Sequence, residues 1–164
     1  MSTPERKKLL DLMDDTRTKI EVLLPQIDPH NEIYPGWTIR ELLAHVTGWD
    51  IACIEILRAH EEERPTSLAD INDLDEYNVM SISTRSGLDD DQIIKEWRST
   101  RQALRTILEE YPGEKLYTPV TVPWGRRSTV THLMEMFCRH EKSHTRDVIK
   151  WLQHSKKPLM EEGE

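Results

Sequence analysis

Thr38-Ile39-Arg40-Glu41-Leu42-Leu43-Ala44-His45-Val46-Thr47-Gly48-Trp49 is the stretch whose reading decides the fold. It opens as a helix. Thr38 followed three residues later by Glu41 fits a capping box, in which each side chain satisfies a backbone donor near the other. Downstream, Leu42, His45, Trp49, Ala52 and Ile56 recur at three- and four-residue steps, so an apolar stripe continues into the next three turns. Arg40, Glu41, Asp50, Glu55 and Arg58 are assigned to the other faces. Glu61-Glu62-Glu63-Arg64-Pro65 closes the helix.

Similar patterns lie on both sides. Upstream, Leu9, Leu10, Met13, Ile20, Leu23 and Leu24 have helical spacing, starting at Thr3 with Pro4 in the first turn, where its missing donor does no harm. Pro25 ends that helix, and residues 27–36, with Pro29 and Pro35, read as a connecting loop. Downstream, Ile71, Leu74, Tyr77 or Asn78, and Ile82 suggest a short helix inside a long crossover. A connection of that length frees the following helix from running antiparallel to the one at Thr38. That third long helix spans roughly Asp89 to Tyr111, with acids at its start and Ile93, Trp97, Leu104 and Leu108 on its apolar face. Residues 114–127 read as a loop. The last helix runs from about Ser128 to Gln153, with Leu133, Phe137, His140, His144, Val148 and Trp151 in one stripe. Four long helical patterns without a convincing strand predict an all-α four-helix bundle over residues 1–154, followed by a short polar tail at 155–164.

The 164 residues carry 22 Lys and Arg against 30 Asp and Glu, a formal net charge of -8, with no basic stripe. That balance argues against a nucleic-acid partner, because phosphate neutralisation needs concentrated positive charge. No apolar run reaches the roughly 20 residues a membrane helix needs, and the charged start does not resemble a secretory signal. Two cysteines, Cys53 and Cys138, cannot build a disulfide framework. A cytoplasmic protein with no membrane association is expected.

Three of the seven histidines stand out by position. His140 and His144 are four apart, so they lie about 40° apart around a helix axis and one turn apart along it. His45 occupies the apolar stripe of another helix. Bundles build metal sites from such inward residues on facing helices. The residues alone leave two readings open: three hydrogen-bonded core histidines, or three ligands sharing one cation. Burying each imidazole without a partner would cost roughly 1–3 kcal/mol.

Trp37-Thr38-Ile39-Arg40-Glu41-Leu42-Leu43-Ala44-His45 resembles the second-helix signature of the DinB/YfiT-like metalloenzyme superfamily: a Trp-Ser/Thr start, an acidic residue, two aliphatics and a histidine. His140-Glu141-Lys142-Ser143-His144 resembles that family's His-x-x-x-His motif on the last helix, and Trp124 to Leu133 resembles its entry to that helix. The resemblance implies a bundle with a long crossover between helices 2 and 3, often a homodimer. It also implies a divalent ion (nickel or zinc first, iron or manganese next) on His45, His140 and His144. Some relatives carry a glutamate at one ligand position; here that position holds His140.

Among such relatives are transferases or isomerases that use a low-molecular-weight thiol of the bacillithiol or mycothiol type. Others resemble metal-dependent hydrolases or non-catalytic stress proteins. Thiol-dependent transfer on a small-molecule substrate is the first reading. Catalytic sites keep coordination positions open, as three protein ligands would. Asp75 and Asn78 in the crossover are placed at the mouth of the site, with capping or solvation as the alternative. Arg126, with Arg127, is a candidate to attract an acidic cofactor or substrate, against the alternative of a solvated loop. Glu41 is assigned to capping, Glu141 and His132 to the surface, and Cys53 to the core. His30, His60 and His154 sit at loops or helix ends. Trp49, Trp97 and Trp151 are read as packing and Trp124 as a rim residue.

Overall fold

Five helices carry the chain in the computed structural model, which describes residues 3–68, 70–71, 73–122 and 127–156. They are α1 (Pro4–Leu23), α2 (Ile39–Glu61), α3 (Leu74–Ser83), α4 (Asp90–Glu110) and α5 (Val130–Ser155). Their starts follow the capping logic of the sequence. Thr3 caps α1 with Pro4 in the first turn. The Thr38–Glu41 box is present, Glu41 Oε2 accepting from the Thr38 backbone N–H at 2.8 Å. A second box, Asp89 with Gln92, opens α4. Pro25 lies in a single 3₁₀ turn, Leu24–Gln26, that terminates α1.

Contacts between named pairs fix the helix directions. Arg40 meets Asp90 at 3.0 Å, Asp50 meets Arg101 at 2.9 Å, and His60 meets Tyr111 at 2.6 Å, so α2 and α4 run parallel. Lys8 meets Glu135 at 2.9 Å, Arg17 meets Glu141 at 3.1 Å, and Gln26 meets Lys156 at 3.1 Å, so α1 and α5 are parallel as well. The two pairs oppose each other: α1 is antiparallel to α4, with Asp14 against Arg105 and Glu21 against Arg98. A parallel α2–α4 pair requires the long crossover of residues 62–89. The expected short helix within it is α3.

Gly48 allows α3 to lie against α2. A Cβ at this position would stand 2.2 Å from Ser81 Oγ and 2.5 Å from Ser81 Cβ, distances that real structures do not tolerate. The contact is completed by Tyr77, whose hydroxyl donates to the Gly48 carbonyl at 2.7 Å. Trp49, Ala52 and Tyr77 form a small apolar cluster beneath α3.

Two sequence expectations need correction. The described residues of the stretch read as a loop, 114–127, hold regular structure, a small appendage on the all-α bundle. A 3₁₀ turn (Gly113–Tyr117) leads into an antiparallel pair, β1 (Pro119–Thr121) and β2 (Arg127–Thr129), before α5 begins at Val130. Val120 and Val122 pack there on Ile56 and Leu133, a local apolar cluster that period-counting over so few residues cannot detect. Glu141, assigned to the surface, and Asp50, assigned off the apolar stripe, are both buried. α5 ends at Ser155, and residues 157–164 of the expected tail lie outside the described residues. Among the described residues no helix is long and apolar enough to cross a membrane.

Candidate metal centre

α2 and α5 pass each other antiparallel, with Trp49 beside Phe137 and, nearer the α2 start, His45 beside His140. The four-residue step on α5 then places His144 next to both. His45 Nε2 lies 3.3 Å from His140 Nε2, and His144 Nε2 lies 3.1 Å from the same atom. One ring nitrogen from each histidine falls within 4.8 Å of the others, the geometry of a group that could hold a metal ion. For comparison, two nitrogens bound at about 2.0–2.1 Å to a tetrahedral ion stand roughly 3.3–3.4 Å apart. His45 is buried; His140 and His144 are half-buried.

The protonation of the three rings suits a group that could hold a cation. Burial, then the neighbouring imidazoles His140 and His144, pushes His45 down to about 3, and burial followed by His140 pushes His144 down to about 4. His140 is lowered by burial as well. The rings are therefore neutral at ordinary pH, the form that ligates metals. Asn78 lies close enough to favour the His45 charge slightly, yet His45 Nδ1 is buried without a well-formed hydrogen bond. The three Nε2 atoms thus converge on one point, where a shared cation could be held.

A short turn brings two aromatic side chains to the cluster from outside α2 and α5. Tyr34-Pro35-Gly36-Trp37 closes with the Trp37 N–H donating to the Tyr34 carbonyl at 2.9 Å. Gly36 has φ +78°, which together with Pro35 matches the requirement of a type II turn for a residue at positive φ after proline. The Trp37 ring lies 5.1 Å from that of His45. Tyr34 Oη stands 2.9 Å from His144 Nδ1 and donates to Asp147 Oδ2 at 2.8 Å. Burial, reinforced by Asp147, raises the Tyr34 phenol above its ordinary value, so it stays protonated.

A cavity of about 300 Å³ opens onto His45 and His140. Its walls are Trp49, Phe137, Met136 and Leu74, with Asp75 and Asn78 contributed by α3. Asn78 is half-buried and accepts from Trp49 Nε1 at 2.8 Å, which fixes the indole. Asp75 is exposed in the first turn of α3; the cap of that helix is Asp73. Arg126 and Trp124 lie outside the described residues, and Arg127 is exposed in β2. No basic residue lines this cavity among the described residues.

The other histidines are accounted for separately. His30, His132 and His154 are exposed. His60 borders a different recess of about 360 Å³, but both its ring nitrogens are engaged, with Tyr111 Oη at 2.6 Å and Thr118 Oγ1 at 3.0 Å. Sequence reasoning missed Tyr34, Trp37 and Asp147 as neighbours of the cluster. The readable signal was Asp147 itself, three residues after His144 and hence on the same side of α5.

The bundle and its histidine cluster together define a DinB-like domain. Residues 9–149 match the family model described as the mycothiol maleylpyruvate isomerase N-terminal domain, and the chain belongs to that family. No curated protein and no solved structure matches it.

Proposed function

We propose that this protein is a divalent-metal-dependent enzyme that uses a low-molecular-weight thiol of the mycothiol or bacillithiol type to transfer to, or isomerise, a small electrophile. The observation that carries the proposal is the meeting of three imidazole nitrogens at one point, with His45 and His140 opening onto an apolar cavity. His45, His140 and His144 would hold the ion, with nickel or zinc as the first candidates. Bound there, a divalent ion acts as a Lewis acid that lowers the pKa of a thiol or water enough to make it a nucleophile near neutral pH.

The chain's own residues supply the rest. Trp49 and Phe137 give the electrophile a flat apolar surface and keep water from that side of the site. Asn78 locks the Trp49 ring in place through its indole N–H. Asp75, the charged group on the cavity wall among the described residues, disfavours an anionic substrate group at the mouth and favours a neutral or cationic one. Cys53 and Cys138 are unsuited to serve as the nucleophile, being buried with their thiols pushed up by desolvation. An external thiol is therefore the simpler source of sulfur.

The test is spectroscopic and kinetic. Cobalt(II) loaded into the protein should give a thiolate-to-metal charge-transfer band when mycothiol or bacillithiol is added, and electrophile turnover should require that thiol. Turnover of esters or amides at full rate without thiol would instead establish a hydrolase. Metal retention with neither band nor turnover would indicate a binding protein.

A further inference from the structure

We propose that Tyr34 and Asp147 are positioning residues that fix the tautomer and orientation of His144, so that its Nε2 lone pair points to the centre of the histidine cluster. This rests on the metal-dependent reading above and goes beyond it, because it assigns roles to two residues outside the ligand set.

Donors and acceptors around Tyr34 decide the tautomer of His144. Tyr34 Oη lies 2.8 Å from Asp147 Oδ2 and 2.9 Å from His144 Nδ1. A carboxylate can only accept, so the single phenolic hydrogen goes to Asp147. The Tyr34 oxygen is left with lone pairs alone. His144 Nδ1 must then carry the ring hydrogen and donate it to Tyr34. A neutral imidazole has only one such hydrogen, so Nε2 is bare, and Nε2 is the atom 3.1 Å from His140 Nε2. The orientation of one hydroxyl thus determines which nitrogen of His144 is free to bind.

The three groups come from two separate elements of the fold, which makes the arrangement hard to explain as local packing. Asp147 and His144 share a side of α5, whereas Tyr34 arrives on the turn between α1 and α2. That turn is clamped: Ile33 N–H donates to the Trp37 carbonyl at 2.8 Å, and Trp37 leads directly into the Thr38 cap of α2. The same turn lays Trp37 against His45. His45, by contrast, has no well-formed hydrogen bond at its Nδ1. Outer hydrogen bonds of this kind orient ligating histidines and raise their basicity, and their loss typically costs about 10–100-fold in metal affinity.

Two measurements on Tyr34→Phe and Asp147→Asn test the inference. The first is the tautomer of His144, read from imidazole ¹⁵N shifts in protein stripped of metal. The wild type should show Nδ1–H alone. Tyr34→Phe should give a tautomer mixture, and Asp147→Asn a smaller change. The second is zinc affinity, read by competition with a chromophoric chelator, which should fall about tenfold or more in Tyr34→Phe while helical content is retained. An unchanged tautomer in Tyr34→Phe overturns the inference, as does an unchanged zinc affinity. A wild type that binds no zinc or nickel would count against the proposed function, and the tautomer experiment would still decide the role of Tyr34.

Discussion

Arg101 closes a two-point ion pair on Asp50 in the middle of the bundle, with Nε to Oδ2 at 3.0 Å and Nη2 to Oδ1 at 2.9 Å. Glu141 joins through Arg101 Nη2, and Arg17 joins through Asp50 Oδ2 at 2.9 Å, so α1, α2, α4 and α5 each contribute one charge. Arg17 Nε also stands 3.1 Å from Glu141 Oε1, an ion-pair contact too poorly angled to count as a hydrogen bond. All four residues are less than a tenth exposed, and their charges cancel. Burial works against the Arg101 charge, but Asp50 and Glu141 more than offset it.

Removing one member of this cluster leaves a buried charge uncompensated. Arg101→Met and Asp50→Leu should each lower the unfolding free energy by about 3–5 kcal/mol. Denaturant midpoints at unchanged slope check this. Replacing Lys7 of the exposed Lys7–Asp11 pair should leave the midpoint where it was.

Gly48→Ala should force α3 off α2, at a cost of roughly 1–3 kcal/mol for overpacking, because the new methyl would meet both side-chain atoms of Ser81. Adding Ser81→Gly to the same chain removes the obstructing atoms and should restore much of the loss. A thermal melt of the single and double variants checks it. Equal stability of all three chains would show that α3 does not rest on this contact.

The cysteines should be inert in the folded protein. Burial pushes Cys138 up to about 12 and Cys53 well above the usual thiol value. Iodoacetamide at about pH 8.5, near the ordinary thiol pKa, should label neither until the chain is unfolded, whereupon both react. The sign follows for stability: above the unfolded thiol pKa the unfolded state loses protons that the folded state keeps, so stability declines as pH rises from about 9. Rapid labelling of native protein would contradict the placement of both thiols.

Protein freed of metal should lose stability on mild acidification. Unfolded imidazoles protonate near 6.5, whereas His45 and His144 are held near 3 and 4 in the fold, chiefly by burial. Between these limits the unfolded state binds more protons, so stability falls as pH falls. The melting temperature of chelator-treated protein should drop from pH 7.5 towards pH 5, more steeply than that of His45→Gln. Parallel curves for the two proteins would remove the histidines as the cause.

How far these features were readable in the sequence depended on periodicity. The helix pattern was legible because capping residues and apolar steps agree at Thr3, Thr38 and Asp89. The convergence of His45, His140 and His144 was legible because each sits in an apolar stripe. The ion cluster was not, since a single stripe per helix underestimates what these helices bury. On α5 the stripe that holds Phe137, His140 and His144 runs past the cavity, and a second one, Met134, Cys138, Glu141 and Thr145, faces the core. α2 repeats this, with Val46, Asp50, Cys53 and Leu57 beside the stripe that holds His45. A buried charge is recognisable only once its partners are known, and Arg17 and Arg101 lie far away in the chain. Tyr34 was hidden for a related reason: a loop residue has no period to betray which way it faces.

Elemental analysis of tag-free protein tests the central claim most directly. The account predicts about one divalent ion per chain in the wild type, and its loss from a folded His140→Ala/His144→Ala double variant whose helical content matches the wild type. Stoichiometric metal retained by that double variant would contradict a centre built on His45, His140 and His144.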